Sequence, residues 1–95
     1  MRLNELEISA IKTSFYDIFG DGSVFLFGSR VDDSKKGGDI DLFLDPFNKE
    51  GLYSKKIKFL VKLKNKIGDQ KIDIVFHEDD NRLIEREIRE HGVLL

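Results

Sequence analysis

Cysteine is absent from the chain, so disulfides and thiolate metal sites are excluded at the outset. No window approaches the roughly 20 apolar residues that a membrane span requires. The opening residues, Met1-Arg2-Leu3-Asn4-Glu5, lack the apolar core of a signal peptide, which points to a cytoplasmic protein with no membrane partner. Neither sign of charge is in large excess: 16 basic and 18 acidic residues leave a formal net charge of -2. A chain so balanced is not an electrostatic nucleic-acid binder as a whole, and direct nucleic-acid binding is not expected. Internal repeats and low-complexity segments are missing too. The length of 95 residues suits a single domain, 1–95, with no room for a second. What is present is an apolar share of 40% with eight phenylalanines, enough for a modest core and unlike a disordered chain.

Asn4 followed by Glu7 has the form of an N-cap with its capping-box partner. Leu6, Ala10, Ile11, Phe15 and Ile18 then recur at helical spacing, which predicts a helix over 5–19 ended by Gly20-Asp21-Gly22. Ser23 to Phe27 reads as a short buried strand, and residues 30–38 as a polar surface loop able to move over a ligand. A second strand follows, with Ile40, Leu42 and Leu44 on one face and Asp39, Asp41 and Phe43 on the other, stopped by Asp45-Pro46. Ile57, Leu60, Val61 and Ile67 mark an amphipathic helix over about 52–67, closed by Gly68-Asp69. Lys71 to Phe76 alternates as a third strand with Asp73 opposite Ile72, Ile74 and Phe76. Asp79 or Asp80 is the expected cap of a last helix carrying Leu83, Ile84 and Ile88, which Gly92 ends before the apolar tail Val93-Leu94-Leu95. That tail suits either an edge strand or a partner contact. The expected fold is α/β (α+β), a small mixed sheet with flanking helices in the order α-β-β-α-β-α.

The chemistry concentrates between Phe25 and Leu44. Gly28 and Ser29 close the first strand, where a glycine lets backbone N–H groups approach a phosphate and the serine adds a hydroxyl donor. Asp39 and Asp41, two apart on a strand, point the same way. Carboxylates so placed repel unless a cation lies between them, and an all-oxygen donor set suits Mg²⁺. Asp73, on another strand, is a third acid, and three carboxylates within apolar strands are costly without a cation or basic partner. A pair of metals about 3.5–4 Å apart would stabilise both the attacking and the leaving oxygen of an in-line displacement. The reaction class implied is transfer at a phosphate.

Gly28, Ser29, Asp39, Asp41 and Asp73 together resemble the signature of the minimal nucleotidyltransferases, the MNT family of the DNA polymerase β superfamily, over the whole chain. The resemblance implies that Asp39, Asp41 and Asp73 bind Mg²⁺, and that Asp73 sits beside the nucleophile as its base. It further implies that the Gly-Ser turn contacts nucleotide phosphates and that an NTP, ATP foremost, donates its nucleoside monophosphate to a hydroxyl. Gly38 departs from the serine common in that family before the first aspartate. Minimal members pair with a small helical protein, a HEPN-type toxin ribonuclease or a substrate-binding subunit. The implied role is therefore an antitoxin that adenylylates its toxin. Transfer to a small molecule or an RNA end, and a non-catalytic antitoxin acting by contact alone, are the alternatives.

Other residues admit two readings each. Arg30 either grips a β- or γ-phosphate or pairs with Asp32 or Asp33. The lysines from Lys55 to Lys66 read as a solvated helix face, because no aromatic interleaving or RNA-binding motif accompanies them. His77 is read as a strand-end polar residue and His91 as a side chain suited to the helix dipole. Phe43 is read as core, though it shares a face with the aspartates. Asp69 is a rival third acid, better suited to the turn after Gly68.

Overall fold

The computed structural model describes residues 1–34 and 38–95, so the middle of the polar loop expected over 30–38 lies outside the described residues. Helix α1 spans Glu5–Phe19, and its start is the expected capping box: Asn4 Oδ1 accepts from the Glu7 N–H at 2.7 Å and Glu7 Oε1 accepts from the Asn4 N–H at 3.0 Å. Ala10, Ile11, Phe15 and Phe19 are buried, whereas Leu6, expected in the same stripe, faces solvent. Strand β1 (Gly22–Phe27) runs into a 3-10 turn over Gly28–Val31, and β2 (Ile40–Pro46) returns antiparallel to β1. The strand stops at Asp45-Pro46 as expected, with Pro46 its last residue, opposite Gly22; a strand end is where the missing N–H is tolerated.

Helix α2 (Leu52–Ile67) then crosses over to β3 (Ile72–Phe76), which lies parallel to β2, the arrangement a helical crossover makes possible. Helix α3 (Leu83–His91) leads through Gly92 into β4 (Val93–Leu94), antiparallel to β1. The tail is thus an edge strand, and Gly92 is needed for the turn: a Cβ there would stand 2.4 Å from the Ile88 carbonyl oxygen. The sheet is mixed, in the order β3-β2-β1-β4.

Alternation decides what each face meets. Val24, Leu26, Ile40, Leu42, Leu44 and Ile72 form one cluster with residues of α1 and with Phe59 and Leu63 of α2. Burial of Phe59 and Leu63 rotates α2 away from the expected stripe, leaving Ile57 and Val61 about half exposed beside Tyr53. Phe43 is fully buried, its ring 5.9 Å from that of Phe25 and 5.6 Å from the Arg89 guanidinium of α3. It packs beneath α3, as the core reading required.

Helix α3 does not start on Asp79 or Asp80. Arg82 is its N-cap, without a side-chain cap bond, and Glu85 reaches back to supply what is missing. The fully buried Glu85 carboxylate accepts from the N–H groups of Glu78 (2.9 Å) and Asp79 (2.8 Å) and from Arg82 Nε (2.8 Å), and lies 2.5 Å from His77 Nδ1. Burial by itself would raise its pKa, but the two backbone donors, His77 and Arg82 together outweigh that and hold it at about 2. A carboxyl depressed in the folded state supplies stability that is complete above its unfolded pKa and lost as pH falls toward the folded value. Urea unfolding should therefore show stability falling between about pH 5 and pH 2. Glu85→Gln should lose about 3 kcal/mol at pH 7 and show a flatter pH profile; an unchanged midpoint would contradict this account of the turn.

Candidate active site

Three strands bring the sequence-predicted residues together at one end of the sheet. The register sets Phe27 opposite Asp41 on one side of β2 and Asp73 opposite Asp41 on the other. Neighbouring strands stand about 4.8 Å apart, so the end of β1, the start of β2 and the start of β3 present their side chains within one small area. Asp41 and Phe43 alternate with Ile40, Leu42 and Leu44, so the acids lie on the face opposite the α1–α2 core.

Gly28 touches this acidic group directly. Its φ is +76°, a left-handed value that favours glycine, and a Cβ there would lie 2.2 Å from Asp41 Oδ2. Any other residue would push the turn off the carboxylate. Ser29 is held next to Gly38, where an added Cβ would fall 2.3 Å from Ser29 Oγ. With φ at +92°, Gly38 is also in the left-handed range. A serine at 38 would therefore crowd the Ser29 hydroxyl and be strained at this φ.

Asp41 titrates above the usual aspartate range. Burial is the main cause, followed by the charges of Asp73 and Asp39 and a hydrogen bond with Asp73, while Lys71 opposes them. Lys71 Nζ is 3.4 Å from Asp39 Oδ2, and this counter-charge was not singled out from sequence, although it stands two residues before Asp73. Asp69, the rival third acid, lies in the turn beside Lys64 at 3.8 Å; Asp73 is the acid that the register sets beside Asp41.

Arg30 is engaged by the fold itself. Its Nε donates to the Gly38 carbonyl (3.2 Å), Nη1 to the Arg2 carbonyl (3.1 Å) and Nη2 to Gln70 Oε1 (3.1 Å). Arg2 returns the contact by donating to the Ser29 carbonyl at 2.9 Å. These bonds fix the turn after Ser29 to segments remote in sequence, a role that no local pattern announces.

Two groups of side chains merit testing against a metal. Asp39, Asp41 and Asp73 offer hard oxygen donors whose mutual repulsion is recorded in the raised Asp41 pKa, and a divalent cation would relieve it. Asp41 and Asp73 are within hydrogen-bonding reach of each other, but among the described residues the three metal-ligating side chains whose donor atoms all lie within 4.8 Å are His77, Asp80 and Glu85. That second group is a poor cation site, because both Glu85 oxygens already accept from protein donors and one of them faces the Arg82 guanidinium. His77, bound to Glu85 at the far end of β3 from Asp73, takes no part in the aspartate site. The aspartates fit Mg²⁺ by donor type and by a repulsion that Lys71 offsets only in part.

The family described as Polymerase beta, Nucleotidyltransferase matches residues 11–95. No curated protein matches the chain.

Because Asp41 is raised, its ionisation weakens the fold: stability is greatest below the unfolded pKa and falls as pH rises through the folded one. In EDTA at pH 7, Asp41→Asn is expected to melt about 2–5 °C higher than the parent. Adding Mg²⁺ should then stabilise the parent and not the variant. A parent melting curve indifferent to Mg²⁺ would argue against cation binding here.

Proposed function

The chain belongs to the Polymerase beta nucleotidyltransferase family, and on that premise we propose that it transfers AMP from ATP to a hydroxyl of a partner protein, with Mg²⁺ held by Asp39, Asp41 and Asp73. The observation that carries this reading is the contact between the Gly28 backbone and the Asp41 carboxylate, with Asp73 opposite Asp41 across the strand pair. A triphosphate on the Gly28–Ser29 turn would lie against the acids, its α-phosphorus close to a hydroxyl presented beside Asp73.

The acceptor oxygen forms a bond to the α-phosphorus, and the bond from that phosphorus to the oxygen bridging the β-phosphate breaks. Pyrophosphate leaves, and Asp73, exposed on β3, takes the hydroxyl proton. Bound Mg²⁺ would supply charge neutralisation across the phosphates. The Gly-Ser turn orients the donor, and the Arg30 and Arg2 bonds keep that turn in place.

The partner reading, a small helical HEPN-type toxin or a substrate-binding subunit, rests on the resemblance to minimal family members. The exposed apolar row Tyr53, Ile57 and Val61 on α2, bordered by lysines, supports a protein contact. No helix is long and apolar enough to cross a membrane among the described residues.

The test uses the partner co-purified from the native host, Mg²⁺ and ATP labelled at the α-phosphate, followed by denaturing separation. A labelled partner band is expected, weakened at least about 100-fold by Asp39→Asn. Label found in a small molecule or RNA would replace the protein acceptor. An unlabelled partner still neutralised by the aspartate variants would make the chain a binding module.

A further inference from the structure

A cavity opens beside the Gly28–Ser29 turn. It has a volume of about 360 Å³ and lies between the 3-10 turn and α3, with Gly28 at its edge. Phe27, Val31, Ile84 and Ile88 give it apolar walls, while Glu87 and His91 bring polar groups from α3. Positions 84, 87, 88 and 91 follow helical spacing, so one side of α3 serves the cavity. Ile84 is 42% exposed, although an apolar residue at this spacing reads from sequence as core. Mostly apolar walls, a few convergent polar groups and a volume above about 300 Å³ are features of small-molecule sites.

Charge decides which part of a nucleotide fits. Glu87 has no ion pair among the described residues, and Asp32, which also lines the cavity, accepts from the Ser34 N–H and hydroxyl. A carboxylate such as that of Glu87 repels a phosphate tail and suits a flat, uncharged ring with apolar faces and N–H donors on its edge. We propose that this cavity receives the base of the donor nucleotide, and that Glu87 selects bases bearing an exocyclic amino group. This rests on the nucleotidyltransferase reading, which places the phosphates at Gly28 and hence the nucleoside within reach of the cavity. Adenine, guanine and cytosine can donate an amino N–H to Glu87. Uracil has no amino group, and its one edge donor, N3–H, is flanked on both sides by carbonyl oxygens that a carboxylate repels, so UTP is the disfavoured donor.

Calorimetric titration of the whole chain with ATP, GTP, CTP, UTP and inorganic tripolyphosphate, each with Mg²⁺, separates base from tail. The parent should bind ATP at least about tenfold more tightly than UTP. Ile84→Trp, which fills the cavity from an exposed position, should weaken all four nucleotides by about tenfold and leave tripolyphosphate unchanged. Glu87→Gln, a surface change that restores a donor toward uracil, should narrow the ATP-to-UTP ratio. Should both variants match the parent for every nucleotide, the base lies elsewhere and the cavity proposal is overturned, with the transferase reading intact. A parent that binds neither ATP nor tripolyphosphate would overturn both.

Discussion

Strand β2 is paired along both edges, and that double pairing is the constraint on which the site depends. Its hydrogen bonds to β1 bring the Gly28 turn against Asp41, and its hydrogen bonds to β3 bring Asp73 to the same carboxylate from the other side. The interleaved residues Ile40, Leu42 and Leu44 are wholly buried, so the strand cannot shift without exposing its core face. Like charges are thus held together by apolar burial, and the cost appears in the raised pKa of Asp41. A site assembled in this way is preorganised: the carboxylates sit close before any counter-ion arrives, and binding one relieves a repulsion already present.

Farther along the face that carries the acids, different forces act. Arg89 of α3 lies over Phe43 and Phe25 and also approaches Asp45 (3.6 Å) and Asp80 (3.3 Å), so one guanidinium joins aromatic and ionic contacts across β1, β2 and the loop before α3. Glu85 anchors the other end of the helix. Among the described residues, the side of α3 toward Gly28 carries no such tie, and that is where the cavity beside the 3-10 turn lies.

Much of this was legible because it is local. The Asn4–Glu7 box, the span of α1, the span of α2 and the alternation that sets Asp41 and Phe43 against Ile40, Leu42 and Leu44 all depend on residues within a few positions of each other, although β2 starts at Ile40 and leaves Asp39 just before it. What escaped notice depends on partners far apart in sequence. The three bonds of Arg30 end on residues 2, 38 and 70, and nothing near position 30 encodes them. Glu85 replaces an aspartate cap because its reach is set by the β3–α3 turn. Ile57 and Val61 fit a helical period as well as Phe59 and Leu63 do; only the placement of α2 against α1 and the sheet decides which stripe is buried. Periodicity gave the existence of an amphipathic helix and left its rotation open.

Shared register has a consequence for how such a chain can vary. In β2 and β3 the residues that build the core alternate one by one with those on the other face, which carries Asp41 and Asp73. Deleting or inserting a single residue inside either strand would turn acids inward and isoleucines outward beyond that point. Point substitutions can be absorbed one face at a time, but an indel within these strands damages core and chemistry together. A change of length is better absorbed in a connection such as residues 47–51, where no such alternation has to be kept.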